Sequence, residues 1–216
     1  MRCFYNIKYP YLNYSCRFPD GFGTMFSIPP SMLAETYKMY FNCEPKTFFD
    51  CGAATGVIVQ MAMDYGMKAN GIDIIKYPNQ QQSHTYIKTE KKEFAQSNAK
   101  LQELFDNNHI KIKSILDYPV IQADIAYCNG ILTYFDEKIL PDILSKFKNV
   151  GMLCAIHNTT EDIIIAKNIM GETLETCNKP RNIKPNNWWL ETFYKNGFDA
   201  KLNTKLNAFI AVPHQK

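Results

Sequence analysis

From about residue 46 onward the apolar positions change period in turn, and the changes predict strands and helices in alternation. The run "KTFFD" at 46–50 is short, apolar and aromatic, as a buried strand is. "TGVIVQMAMDYG" at 55–66 reads as a helix that stops at Gly66, a residue suited to the left-handed C′ position. "KANGIDI" at 68–74 is a second strand. "YIKTEKKEFAQSNAKLQELFDNN" at 86–108 sets Ile87, Phe94, Leu101, Leu104 and Phe105 on one helical stripe among charged and amide residues. "HIKIKSIL" at 109–116 alternates at period two, a strand with one polar face. "IQADIAYCN" at 121–129 is another strand. "DEKILPDILSKFKN" at 136–149 brings Ile139, Ile143, Leu144 and Phe147 to one face of a helix. "VGMLCAIH" at 150–157 is a buried strand, and "PNNWWLETFYKNG" at 185–197 is a helix between Pro185 and Gly197. The end, "FDAKLNTKLNAFIAVPH", reads as two strands about a tight turn near Asn207.

This order implies an α/β fold: a mainly parallel seven-stranded sheet with helices on both faces and an antiparallel C-terminal hairpin at or near one edge. Residues 46–216 form that domain. Residues 1–45 have another texture, rich in Tyr, Phe and Pro with one helix, "SMLAETYKMYF". They are expected to be an appendage packed on the sheet and not an independent domain. Two stretches exceed a minimal crossover: Ile74–Asn108, and Asn158–Lys184 with its polar tail "CNKPRNIKP". Loops that long in a compact domain are often functional. The first 45 residues, with Tyr11, Tyr14 and Phe22, and the segment Asn158–Lys184 are therefore expected to roof the acceptor pocket, the alternative being that the aromatics cover the sheet edge.

Composition narrows the class only a little. Apolar residues make up 46% and charged residues 21%, values of an ordinary globular protein. The net charge of +3 neither supports nor excludes a nucleic-acid partner. No apolar run has signal-peptide or membrane-spanning length, so a soluble cytoplasmic protein without a membrane partner is expected. The seven cysteines are widely spaced with no C-x-x-C pair. That argues against a zinc site and for free thiols in a reducing compartment.

The chemistry concentrates at "FFDCGAATG", residues 48–56. An acid and a run of small residues follow a strand directly, which lets a ligand approach the backbone at a helix N-terminus. The dinucleotide pattern G-x-G-x-x-G fails, because Ala54 and Val57 stand where its second and third glycines belong. The phosphate loop G-x-x-x-x-G-K-[ST] is absent. What remains is Asp50, Gly52, Ala54 and Gly56 at alternate positions. A second acid, Asp73, ends the next strand; a third, Asp117, follows "SIL"; and the fourth strand ends in "CNGI".

In this ordered set the chain resembles the class I S-adenosylmethionine-dependent methyltransferases over roughly residues 46–213. The resemblance implies S-adenosyl-L-methionine as cofactor. It implies that Gly52, Ala54 and Gly56 line the methionine half, with Asp50 orienting that loop or the cofactor's amino group. Asp73 would accept from both ribose hydroxyls, and Asp117 from the adenine amino group, with Ile115 or Leu116 on the ring. Cys128 and Asn129 would sit near the transferable methyl. The family usually has Gly where Ala54 stands.

His157 ends a strand on the side of the expected site and is either a general base or a structural histidine. Tyr134 and Phe135 either face the sulfonium or pack in the core. Of Trp188 and Trp189, about 100° apart on a helix, one belongs to the core and the other either floors a pocket or packs. "CNGI" is not the Asn/Asp-Pro-Pro-Tyr/Phe run of methyltransferases that act on DNA-base amines. The acceptor expected is a small molecule or a single side chain. An RNA (tRNA) substrate, or a cofactor-binding protein without catalysis, is the alternative, and oligomeric state is left open.

Overall fold

The computed structural model describes residues 28–54, 56–74, 102–156, 159–160 and 183–214. His157, the two roofing segments apart from residues 28–45, 159–160 and 183–184, and most of the helix expected at 86–108 lie outside these residues. Within them, residues 102–106 are helical.

The chain enters through helix α1 (Pro30–Phe41) and then alternates: β1 (Thr47–Cys51), α2 (Val57–Asp64), β2 (Lys68–Asp73), β3 (Ile110–Ile112), β4 (Gln122–Asn129), α3 (Leu140–Ser145), β5 (Asn149–Ile156), α4 (Asn186–Lys195), β6 (Phe198–Asn203) and β7 (Ala208–Pro213). The seven strands form one sheet in the order β3-β2-β1-β4-β5-β7-β6. β1 to β5 run parallel, and β7 lies antiparallel between β5 and β6. The strand order reverses between β1 and β4, so a ligand crevice is expected beyond their carboxyl ends.

Alternating side chains build a core on each face. Phe48, Ile125 and Tyr127 point to the layer that holds Leu33 and Tyr37 of α1 and Val59 of α2. Phe49, Ala126 and Leu153 point to the layer of Ile143, Phe147, Trp189 and Phe193. The expected packing of α1 on the sheet is made by Tyr37. A Cβ built on Gly151 of β5 would lie 2.8 Å from its ring, so only glycine leaves room there.

Local chemistry sets the boundaries. α2 stops as its sequence predicts: Gly66 is left-handed, its N–H reaches the Met63 carbonyl at 2.9 Å, and the Met67 N–H reaches that of Ala62 at 3.0 Å. Two elements are shorter than expected. The strand "HIKIKSIL" ends at Ile112, because Ser114 accepts the Leu116 N–H and turns Ile115–Asp117 into a 3-10 helix. The helix at 136–149 is split. Asp136 caps a 3-10 turn, Glu137–Ile139, and α3 begins beside Pro141, which is tolerated only in a first turn. Ile143, Leu144 and Phe147 are buried as the pattern required, whereas Ile139 is only partly covered.

The lower end of the β1–β4 pair is locked by one side chain. Asp124 Oδ2 accepts from the backbone N–H of Lys46 at 2.7 Å and of Thr47 at 2.9 Å, and from the Thr47 hydroxyl at 3.0 Å. Thr47 Oγ1 in turn accepts the Asp124 N–H at 2.7 Å. Hydrogen bonds to a charged group are the stronger kind. Asp124→Ala is expected to lower stability by about 2 kcal/mol. A denaturant midpoint equal to wild type would contradict the lock.

Candidate functional site

The site is built where β1, β2 and β4 end. After Cys51 the chain turns over the end of β2. The N–H groups of Gly52 and Ala53 both donate to the Ile72 carbonyl at 2.9 Å, and the Ala54 N–H donates to Asp73 Oδ2 at 2.7 Å. Gly56 closes the turn on the Ala53 carbonyl at 2.7 Å. Gly52, Ala54 and Gly56 all have positive φ, +86°, +47° and +87°. That suits two of them and strains the third, because a Cβ crowds the left-handed region. No side chain caps α2, which starts at Val57 directly after Gly56.

Gly71 explains how the loop comes so close. A Cβ there would meet the Ala53 Cβ at 2.9 Å and the Asp50 carbonyl at 2.9 Å. An isolated glycine inside "KANGIDI" was the available signal for this close approach. A Cβ on Gly52 would lie 2.3 Å from Ile131 Cδ1. The group that lies over Gly52 in this structure is therefore the Ile131 side chain, at the turn after β4. Nothing in the sequence pattern marked Ile131.

Asp50 and Asp73 come together, at 3% and 8% exposure. They do different jobs from one another. The acid that orients the loop is Asp73, through the Ala54 N–H, and not Asp50. Asp50 has no hydrogen-bond donor among the described residues. Burial, and then the neighbouring Asp73, push its pKa well above the usual carboxylate range. The Cys51 thiol lies against Cys128, its register partner on β4. The neighbouring Cys128 thiol, then burial, holds the Cys51 thiol well above its ordinary pKa. Cys128 is closed off from solvent, and its side chain belongs to the core layer of Phe49 and Ala126. Asn129 ends β4 opposite Ile156 and is half-buried. Asp117 stands exposed in its 3-10 helix with Ile115 buried and Leu116 exposed; the structure does not pair it with Asp50 or Asp73.

The lip carries aromatic side chains. Trp189 is core, as one of the pair had to be. Trp188 is partly buried, with Lys184 Nζ 5.3 Å above its ring, and Lys184 also pairs with Glu137 of the turn after β4. Tyr134 is half-buried, and burial raises its pKa.

No family model and no curated protein matches the sequence. Solved structures do. The plantazolicin methyltransferase, solved with a monoazolic desmethylPZN analog and SAH, matches 86% of this chain and 82% of its own at a TM-score of 0.58. This chain has the class I methyltransferase fold. A small RNA methyltransferase matches 87% of the chain at 0.56, although the chain spans only 26% of that protein. The 1,6-didemethyltoxoflavin-N1-methyltransferase of Burkholderia thailandensis matches 86% of the chain and 78% of its own length at 0.55. Identities are 10%, 13% and 10%, so the likeness is one of fold.

Asp50 yields a pH prediction for this fold without ligand. Its pKa is raised on folding, so the native state holds its proton more tightly than the unfolded chain does. Its stabilising balance is complete below the unfolded carboxylate value, about 4, and is lost as pH rises toward the folded value. Asp50→Asn removes that titration. Its melting temperature is expected to match wild type in acid and to exceed it increasingly toward neutral pH. Parallel curves for the two proteins across the range would contradict the burial of an unpartnered carboxyl.

Proposed function

We propose that the chain is an S-adenosylmethionine-dependent methyltransferase, with residues 46–216 as the catalytic unit and a small molecule or a single side chain as acceptor. The observation that supports it most is Asp50. A buried carboxyl to which no described residue donates, placed where strand order reverses, calls for a cationic ligand group. The α-ammonium of an amino-acid cofactor is such a group.

The residues present fit this cofactor. Asp50 would receive the ammonium. Gly52, Ala54 and Gly56 would let the methionine portion pass close to the backbone, and a ligand crossing Gly52 would displace the end of the Ile131 side chain. Asp73 would serve the loop and the ribose together, since a carboxylate accepts more than two donors. Asp117 would take the adenine amino group, with Ile115 or Leu116 on the ring. Asn129 and the backbone at Cys128 would border the acceptor, and His157 is the candidate base if the acceptor must lose a proton. When bound, the cofactor supplies a methyl group already activated by its sulfonium charge. The protein's own task is to hold the acceptor in line and to exclude water.

The end of β4, "CNGI", argues against DNA-base amines, and the net charge of +3 gives no independent support to an RNA substrate. A survey of small molecules, peptides and tRNA with radiolabelled methyl donor separates the acceptor classes. Absence of transfer to any of them would favour the non-catalytic reading.

Calorimetry is expected to show binding of S-adenosylmethionine and none of NAD. Asp73→Ala should weaken binding by about 1–3 kcal/mol, because the ribose loses a charged acceptor and the loop its anchor. Asp73→Asn should be milder, since an amide oxygen still accepts. Unchanged affinity in Asp73→Ala would remove Asp73 from the cofactor site.

A further inference from the structure

The sheet ends at β6, and among the described residues nothing pairs the outer edge of that strand. An exposed edge is a template for another strand unless charge or cover prevents it. Beside it runs an open groove of about 650 Å³ between α4 and β6. Leu190, Tyr194 and Ala200 give it an apolar lining, and Tyr194 is 66% exposed. Glu191 and Lys195 on its α4 side pair with each other at 3.3 Å. On β6 burial alternates from Phe198 to Leu202: Phe198, Ala200 and Leu202 belong to the core layer under α4, while Asp199 and Lys201 are exposed and border the groove as well. Asp199 meets only His214, at 3.3 Å, and Lys201 has no ion-pair partner among the described residues.

We infer that the chain self-associates through β6, which pairs antiparallel with β6 of a second copy about a two-fold axis at Ala200. The occupant is a second copy because the charge order of the strand is its own complement when reversed. With Ala200 opposite Ala200 of the second copy, Asp199 of each chain faces Lys201 of the other, making two cross-strand ion pairs. Sliding the register by two residues brings Asp199 opposite Asp199, or Lys201 opposite Lys201, and like charges oppose both. The same register sets Phe198 opposite Leu202 on the core side, and Leu202 is only half-buried within one chain. The two copies of α4 then lie on the same face, where each groove receives the other's Tyr194. The two sheets become one of twice seven strands. The inference does not depend on the cofactor or the acceptor.

Sedimentation of the purified full chain over a hundredfold concentration range tests this. Wild type is expected to move from a mass of 24.9 kDa toward twice that value. Asp199→Lys puts two cations opposite each other twice, and Lys201→Asp does the same with anions. Each variant should associate about tenfold more weakly or less. Both side chains are exposed, so melting temperatures confirm that the variants fold. Mixing the two variants restores both ion pairs in a heterodimer, and the mixture is expected to associate at least as well as wild type. A wild type that stays monomeric overturns the inference. So does unchanged dimerisation in either variant, or a mixture no better than its components.

Discussion

Three successive N–H groups of the loop after β1, those of Gly52, Ala53 and Ala54, are all taken up by the end of β2. This clasp fixes the geometry of the site. It brings the loop down onto Gly71, where no larger residue fits without a shift. It holds Ala54 in a left-handed conformation that costs a residue with a Cβ about 1 kcal/mol. It also engages Asp73, whereas no described residue donates a hydrogen bond to Asp50.

The consequence is an asymmetric pair of acids. Asp73 has a structural partner, whereas Asp50 is buried beside a like charge with no donor among the described residues. Such an arrangement lowers stability, and places where a chain violates its own rules of polar satisfaction are where function is expected. The rest of the fold compensates at a distance. Asp124 ties the opposite end of the same strands together with hydrogen bonds to Lys46 and Thr47. The central strands carry full cores on both faces.

Much of this was legible in the residues because it rests on local periodicity. The parallel core, the hairpin, the stop at Gly66 and the end of β2 at Asp73 follow from patterns of two and 3.6 and from glycine placement. The less legible features depend on contacts across the chain. Ser114 and Pro141 cut two elements short by local hydrogen bonding that an apolar stripe does not register. That Asp73 and not Asp50 holds the loop depends on which acid the Ala54 N–H reaches, a matter of tertiary geometry. Ile131 over Gly52 joins residues from two separate turns. Cys128 stood at the right end of the right strand, but its alternation points it into the core toward Cys51.

The central claim is that Asp50 is kept unpaired for the ammonium of an amino-acid cofactor. The most direct measurement compares two ligands by calorimetry on wild type and Asp50→Asn: S-adenosylhomocysteine, which carries the amino-acid portion, and methylthioadenosine, which lacks it. The account predicts that the substitution weakens S-adenosylhomocysteine by tenfold or more, about the worth of one hydrogen bond to a charged group. It predicts that methylthioadenosine binds both proteins alike. Equal loss for both ligands, or none for either, would contradict it.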